Sequence, residues 1–275
     1  MDYVELNIPI TNAEQGEILT AYLADYPFES FATEKEHLKA YIPQERLADC
    51  KEEIDALLSA EKVTGARYVS IETQNWNALW ESNFEPVDVD GRIYIRAPFH
   101  APAQNGAMEV IIMPKMSFGT GHHATTHLMS AAIAELDVAG KSGLDMGSGT
   151  GVLAIIAAMR GATHLDAVDI DAWADENCRE NIATNGVADR ITPILGDASA
   201  IEGRSYDFIL ANINRNILLA DMPHYRASLV AGGTLLMSGI LEADIPSIVD
   251  RAEALGMHFV SSRLKDGWAI VQVKL

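Results

Sequence analysis

The sequence predicts an α/β protein in two parts: a small α+β domain, then a mostly parallel sheet with helices on both faces. Three observations carry this. Over the first seventy-odd residues, apolar runs of period two and of helical period follow one another as strand, helix, strand, strand, helix, strand. From about residue 120 the rhythm changes to regular strand–helix alternation, the pattern of a parallel sheet. Near the C-terminus, Asp266-Gly267 sits between two alternating runs, which marks an antiparallel hairpin at one sheet edge.

In the first part, "YVELNIPI" alternates as a strand and "AEQGEILTAYLADY" is spaced as a helix. "FESF" and "HLKAYIP" read as a strand pair, "QERLADCKEEIDALLSA" as an amphipathic helix and "ARYVSIETQ" as a further strand. That order is the split arrangement of ferredoxin-like domains, with two helices on one sheet face. Next comes an aromatic stretch in which Trp76, Trp80 and Phe84 are each four apart, sharing one face if helical. Such clusters most often supply buried area, so packing against a neighbouring domain is favoured over stacking on a substrate. The expected division is residues 1–73, a linker at 74–98, and 99–275.

In the second part, "SGLDM", "HLDAVDID", "RITPILGD", "YDFILANI" and "AGGTLLMSGI" supply strands, the last entered through a turn. Between them lie "GVLAIIAAMR", stopped by Gly161, "AWADENCRENIATN", ending at Gly186, and a helical stretch around 215–230. "EADIPSIVDRAEAL", ended by Gly256, is the final helix.

Composition excludes several classes. The 275 residues carry 39 acidic and 20 basic side chains, a net charge of −19. That surface repels nucleic-acid phosphates and anionic membranes, and attracts a basic partner at low salt. The same acidity also serves plain solubility. No apolar run approaches the length of a membrane span, and the N-terminus has neither the basic flank nor the apolar core of a signal peptide. A cytoplasmic protein is expected, its two cysteines, Cys50 and Cys178, being reduced thiols.

"LDMGSGTG" (144–151) lies behind one strand and ahead of a helix. Gly147, Gly149 and Gly151 free the backbone for a tight turn and for close approach of a ligand to the helix N-terminus. The spacing is GxGxG, not the dinucleotide GxGxxG, and Asp145 precedes it. A carboxylate there repels a pyrophosphate and suits a cofactor bearing an ammonium group, such as S-adenosylmethionine. A plain structural turn stays open on this motif alone.

The ends of the following strands add to it. Asp169, twenty-two positions after Gly147, can accept hydrogen bonds from both ribose hydroxyls. Asp171 fits better as the N-cap of the next helix. Asp197 in "LGD" could bind the adenine amino group, and Asn212 in "LANIN" reaches the carboxyl edge where open α/β sheets bind ligands. Upstream, "MSFGTGHHATTH" offers a glycine-rich loop, with Thr125 and Thr126 as possible caps of the next helix. His123 and His127 have i, i+4 spacing but lack the glutamate of HExxH, so no metal site is expected.

"SFGTGHHATT", "LDMGSGTGVLAI", "AVDIDAWADENCRENIATNGV" and "LANI", with the linker "WNALWESNFEPVDVDGRIYIRAPF", together resemble the ribosomal protein L11 methyltransferases (the PrmA type). The resemblance runs from roughly residue 72 to the C-terminus. It implies a seven-stranded, Rossmann-like methyltransferase sheet, a preceding domain that recognises the ribosomal protein, and S-adenosyl-L-methionine as methyl donor. Lysine ε-amines and the N-terminal α-amine of L11 would be the acceptors. Carried over by position, Thr126, Gly147, Asp169 and Asn212 would touch the cofactor, and Asn212 would also orient the amine. Asp145, Gly149 and Asp197 join them from the reading of the residues. Two departures stand out: His122 and Ala124 replace the family's usual threonine and proline, and the Asp-Pro-Gly opening of the loop is missing.

Competing classes are a dinucleotide oxidoreductase, against which GxGxG and Asp145 argue, and a non-catalytic cofactor-binding adaptor. Within methyltransferases the alternative is a glutamine or small-molecule N-methyltransferase. The glutamine type usually carries Asn-Pro-Pro-Tyr where this chain has "NINR". A monomer that binds no nucleic acid directly is expected.

Overall fold

The computed structural model describes residues 3–71, 85–104, 106–115 and 119–275, and for Ile71 the backbone alone. Trp76, Trp80 and Phe84 therefore lie outside the described residues, as do Ser117 and Phe118 of the loop. The chain divides into two compact units, residues 1–84 and 85–275.

In the first unit the elements are β1 (Tyr3–Pro9), α1 (Ala13–Leu23), β2 (Ser30–Glu34), β3 (His37–Pro43), α2 (Gln44–Ala60) and β4 (Arg67–Ile71). The sheet order is β2-β3-β1-β4, and every neighbour is antiparallel. Alternation in β1 sends Val4, Leu6 and Ile8 to one face, where they meet Leu19, Leu23, Ile54 and Leu58 of the two helices. Asn12 starts α1 by accepting from the Gln15 amide at 2.9 Å, and the Gln15 side chain returns to the Thr11 amide at 2.8 Å. The expected strand "FESF" begins two residues later, at Ser30. Phe28 closes a turn onto the Tyr26 carbonyl, and the hairpin at Lys35 sets the register.

The second unit opens with strands inside the span expected as a linker. Val87–Val89 (β5) and Ile93–Arg96 (β6) form a hairpin, and Met108–Ile111 (β7) pairs parallel to β6. Val89, Ile93, Ile95 and Val110 belong to the same buried cluster as Leu128, Met129 and Ile155. Apolar burial of this kind, worth about 1.5–3 kcal/mol per large aliphatic side chain, makes 87–111 part of the unit. Asn185 exchanges two hydrogen bonds with the Ile111 backbone and Asn181 accepts from the Met113 amide, fastening the small sheet to its neighbour.

The larger sheet follows: α3 (Ala124–Glu135), β8 (Ser142–Met146), α4 (Val152–Met159), β9 (His164–Asp169), α5 (Ala172–Thr184), β10 (Ile191–Leu195) and β11 (Tyr206–Asn212). Then come α6 (Arg215–Ser228), β12 (Leu229–Leu241), α7 (Ile245–Ala254), β13 (His258–Lys265) and β14 (Trp268–Lys274). Helix α7 starts later than "EADIPS" suggests, because Pro246 favours the first helical positions and Glu242–Asp244 form a separate 3₁₀ turn. The strand order is β10-β9-β8-β11-β12-β14-β13, with β14 antiparallel to both neighbours. Buried clusters cover both faces, one holding α3 to α5 and the other α6 and α7. Order reverses between β8 and β11, which opens a crevice at their carboxyl ends. Among the described residues no helix is long and apolar enough to cross a membrane.

Candidate functional site

The turn after β8 is built by glycines in the left-handed region, with φ +70° at Gly147 and +55° at Gly149. The amides of Gly147 and Ser148 donate to the Val168 carbonyl at 2.8 and 3.0 Å, tying the turn to β9. The Gly149 amide donates to Asp169 Oδ2 at 2.8 Å, and Asp169 Oδ1 accepts from the Asp171 amide at 3.0 Å. Asp169 is thereby held rigidly at the strand end, at the wall of a cleft of about 610 Å³.

Gly147, Gly149, Asp169, Asp197 and Asn212 all line that cleft. Asp197 accepts from the Ser199 hydroxyl at 2.6 Å and its amide at 2.9 Å, and those bonds hold its carboxyl below the usual range. Asp171 also lines the cleft while capping α5, its Oδ1 accepting from the Trp173 amide at 2.8 Å. Asn212 Oδ1 is buried and has no hydrogen-bond partner among the described residues. A buried carbonyl oxygen left that way costs about 1–3 kcal/mol, a cost that a donor brought by a ligand would relieve.

Two expected contacts sit off the cleft wall. Asp145 is fully buried beneath the glycine turn, where Oδ2 accepts from the Ala154 amide at 3.0 Å. Through Oδ2 it satisfies an orphan donor in the first turn of α4, while Oδ1 is buried with no partner among the described residues. Burial pushes its pKa up to about 7, opposed by the Ala154 amide and reinforced by the charge of Asp169. Thr126 is also buried, its Oγ1 without a partner among the described residues, while Thr125 and His123 of the same turn reach the wall. Neither threonine caps α3. His123 does, accepting the Thr125 amide on Nδ1 at 3.3 Å, because its backbone is extended and the two threonines are already helical.

The loop before α3 is anchored where Thr150 Oγ1 donates to the Gly119 carbonyl at 2.7 Å. The histidines diverge: His122 Nε2 lies 2.8 Å from the Glu85 carbonyl oxygen, and His127 faces Asp90. Among the described residues no three candidate ligands gather for a metal.

Among the wall residues that were not anticipated are His123, Trp268, Gly239 and Asp221. His123 packs edge-on to Trp268, with ring centroids 4.6 Å apart. Trp268 begins β14, and because β14 runs against the sheet, its start lies at the carboxyl edge beside Leu241. Gly239 contacts the Ile213 backbone, and Asp221 enters from α6. The Asp266-Gly267 hairpin signal locates β14 in sequence but not beside this cleft.

The buried acid predicts a pH effect. The folded-state pKa of Asp145 lies above the 3.8 of the free group, so folding takes up a proton between about pH 4 and 7, and stability falls as pH rises through that window. Asp145→Asn carries no such proton. Its melting temperature relative to the parent should rise by several degrees between pH 5 and 8 in calorimetry. An offset independent of pH would contradict the assignment.

A family model described as ribosomal protein L11 methyltransferase (PrmA) matches residues 8–275. The ribosomal protein L11 methyltransferase of Phocaeicola vulgatus is 41% identical, covering 99% of both chains. That of Porphyromonas gingivalis is 44% identical over 93% of this chain and 89% of its own. A crystal structure of ribosomal protein L11 methylase from Lactobacillus delbrueckii subsp. bulgaricus superposes with a TM-score of 0.64 at 26% identity, covering 69% of this chain and 98% of that one. Matched from residue 8 to its last residue and over 40% identical to full-length relatives, the chain belongs to the ribosomal protein L11 methyltransferase family.

Proposed function

We propose that the cleft binds S-adenosylmethionine and that the chain methylates lysine ε-amines and the N-terminal α-amine of ribosomal protein L11. The observation that carries the reading is Asn212 Oδ1, a buried acceptor at the cleft with no partner among the described residues. The residues present fit the cofactor: a glycine turn free of side chains, a carboxylate fixed at the end of β9, and a cleft within the usual range for small ligands. Family membership supports the methyl transfer, and the names of the relatives support L11 as substrate.

When bound, S-adenosylmethionine supplies a methyl group on a positively charged sulfur, an electrophile that needs in-line approach of a nucleophile. Asp169, fixed by the Gly149 and Asp171 amides, would hold the cofactor's vicinal ribose hydroxyls by accepting from them. A lysine amine has a pKa near 10.4 and must be neutral to attack. The hydrophobic wall of Met146, Ile213 and Trp268 desolvates it, which favours the neutral form. Asn212 Oδ1 would accept one amine hydrogen and so turn the nitrogen lone pair away from itself. Water can take the released proton, and the wall holds no residue that must serve as base.

Charge supports a basic partner. Four aspartates, Asp169, Asp171, Asp197 and Asp221, line the cleft, and among the described residues no lysine or arginine does. Residues 1–73 are proposed to recognise L11, with the net charge of −19 attracting it from a distance. The test is incubation with isotopically labelled S-adenosylmethionine and purified L11, with mass spectrometry of its amines and kcat/KM followed against salt. Label should appear on lysines and the N-terminus, and kcat/KM should fall several-fold between about 50 and 200 mM salt. Label confined to glutamine, or none on L11, would overturn the substrate assignment. A flat salt response would leave the acidity to solubility alone.

A further inference from the structure

We propose that Asp221 is a cofactor-specificity residue, which together with Asp197 reads the exocyclic amino group of an adenine ring at the β10 end of the cleft. This rests on the S-adenosylmethionine reading and adds to it a residue on α6. Asp197 and Asp221 line one cleft, near enough that the charge of Asp197 acts on Asp221 and that of His224 acts on both. Asp197 commits Oδ1 to Ser199, and no other residue among those described donates to Oδ2. Asp221 Oδ2 accepts from the Tyr225 hydroxyl at a long 3.5 Å, and Oδ1 has no partner among the described residues.

Two acceptor-rich carboxyl groups at one end of a cleft without lysine or arginine among its described residues call for a ligand that brings donor hydrogens. Ile170, at 74% exposure, and Ile217, at 41%, line the same cleft and offer apolar faces for a flat ring. Adenine meets both demands, because its planar faces are apolar and its 6-amino group carries two donor hydrogens. A 6-oxo purine turns an acceptor toward the two carboxyls and is repelled. Half-burial, which pushes the pKa of Asp221 up, makes an unmet acceptor there more costly.

The experiment is titration calorimetry of S-adenosylhomocysteine and S-inosylhomocysteine against the parent chain, Asp221→Asn and Asp221→Ala, with folding checked by circular dichroism. The parent should favour the adenosine compound by about 100-fold or more. Asp221→Asn can donate to the 6-oxo group, and should cut that preference about tenfold, mainly through tighter binding of the inosine compound. Asp221→Ala should lower it by weakening the adenosine compound. A merely structural aspartate would shift both affinities together and leave the ratio unchanged, which would overturn the inference. If the parent chain binds neither compound, the cofactor reading itself fails. If it binds the adenosine compound and both variants keep the parent ratio, only the role of Asp221 fails.

Discussion

Asn212→Ala should lower the single-turnover rate of methyl transfer by about 100- to 1,000-fold, the range for loss of one preorganised group at a reacting centre. The carbonyl lost is the buried acceptor that finds no partner within the described chain, so its removal leaves the fold little to lose. Folding stability should hold or rise by up to about 1–3 kcal/mol, because a buried unmet acceptor is removed and, among the described residues, no hydrogen bond of the side chain is broken. Affinity for S-adenosylhomocysteine, measured by calorimetry, should change by less than about tenfold. That split separates amine positioning from cofactor holding. Near-normal turnover on L11 would remove Asn212 from the mechanism. A collapse of affinity with an unchanged chemical rate would reassign it to the cofactor alone.

Gly239→Ala should have the second-largest effect, although nothing at this position carries chemistry. A Cβ there would stand 2.4 Å from the carbonyl oxygen of Ile213 and 2.7 Å from its carbonyl carbon. Those are backbone atoms and cannot swing aside as a side chain would. The residue also has φ +84°, where a Cβ is strained. Together these should cost about 2–4 kcal/mol of stability in denaturant unfolding. The displaced segment follows directly after Asn212 and is hemmed in on the other side, since a Cβ on Gly147 would lie 2.3 Å from the Ile213 side chain. Pushing Ile213 must therefore move Asn212, and turnover should fall by about 100-fold at a temperature where the variant is still folded. A destabilised variant with full activity when folded would show that Gly239 serves packing only.

Much of the architecture was legible in the residues. The 2- and 3.6-residue periods located the strands and helices of both parts, because each buries one face and the apolar spacing records which. The placement of Asp169, Asp197 and Asn212 along one cleft was legible too, since each is the polar residue at which an apolar strand run stops, and in a parallel sheet those stops share one edge. The hairpin β5–β6 was passed over within an aromatic stretch, although Asp90-Gly91 carries the same turn signal as Asp266-Gly267. His123 went unread as a cap because Ser, Thr, Asp and Asn are the usual ones, and its ring nitrogen does their work from an extended backbone.

By itself the sequence determined the two-part organisation, the glycine turn and the strand-end polar residues, all of which follow from local periodicity and turn chemistry. The tertiary structure alone decided the other half of the wall. Trp268 reaches the cleft because β14 inserts antiparallel, Asp221 because α6 lies along the crevice, and Gly239 because β12 runs beside β11. It also decided that Asp145 braces a helix start with one of its two carboxylate oxygens. Local patterns record which face of an element is buried, whereas the neighbours that a residue at its end meets depend on strand order, which no local pattern encodes.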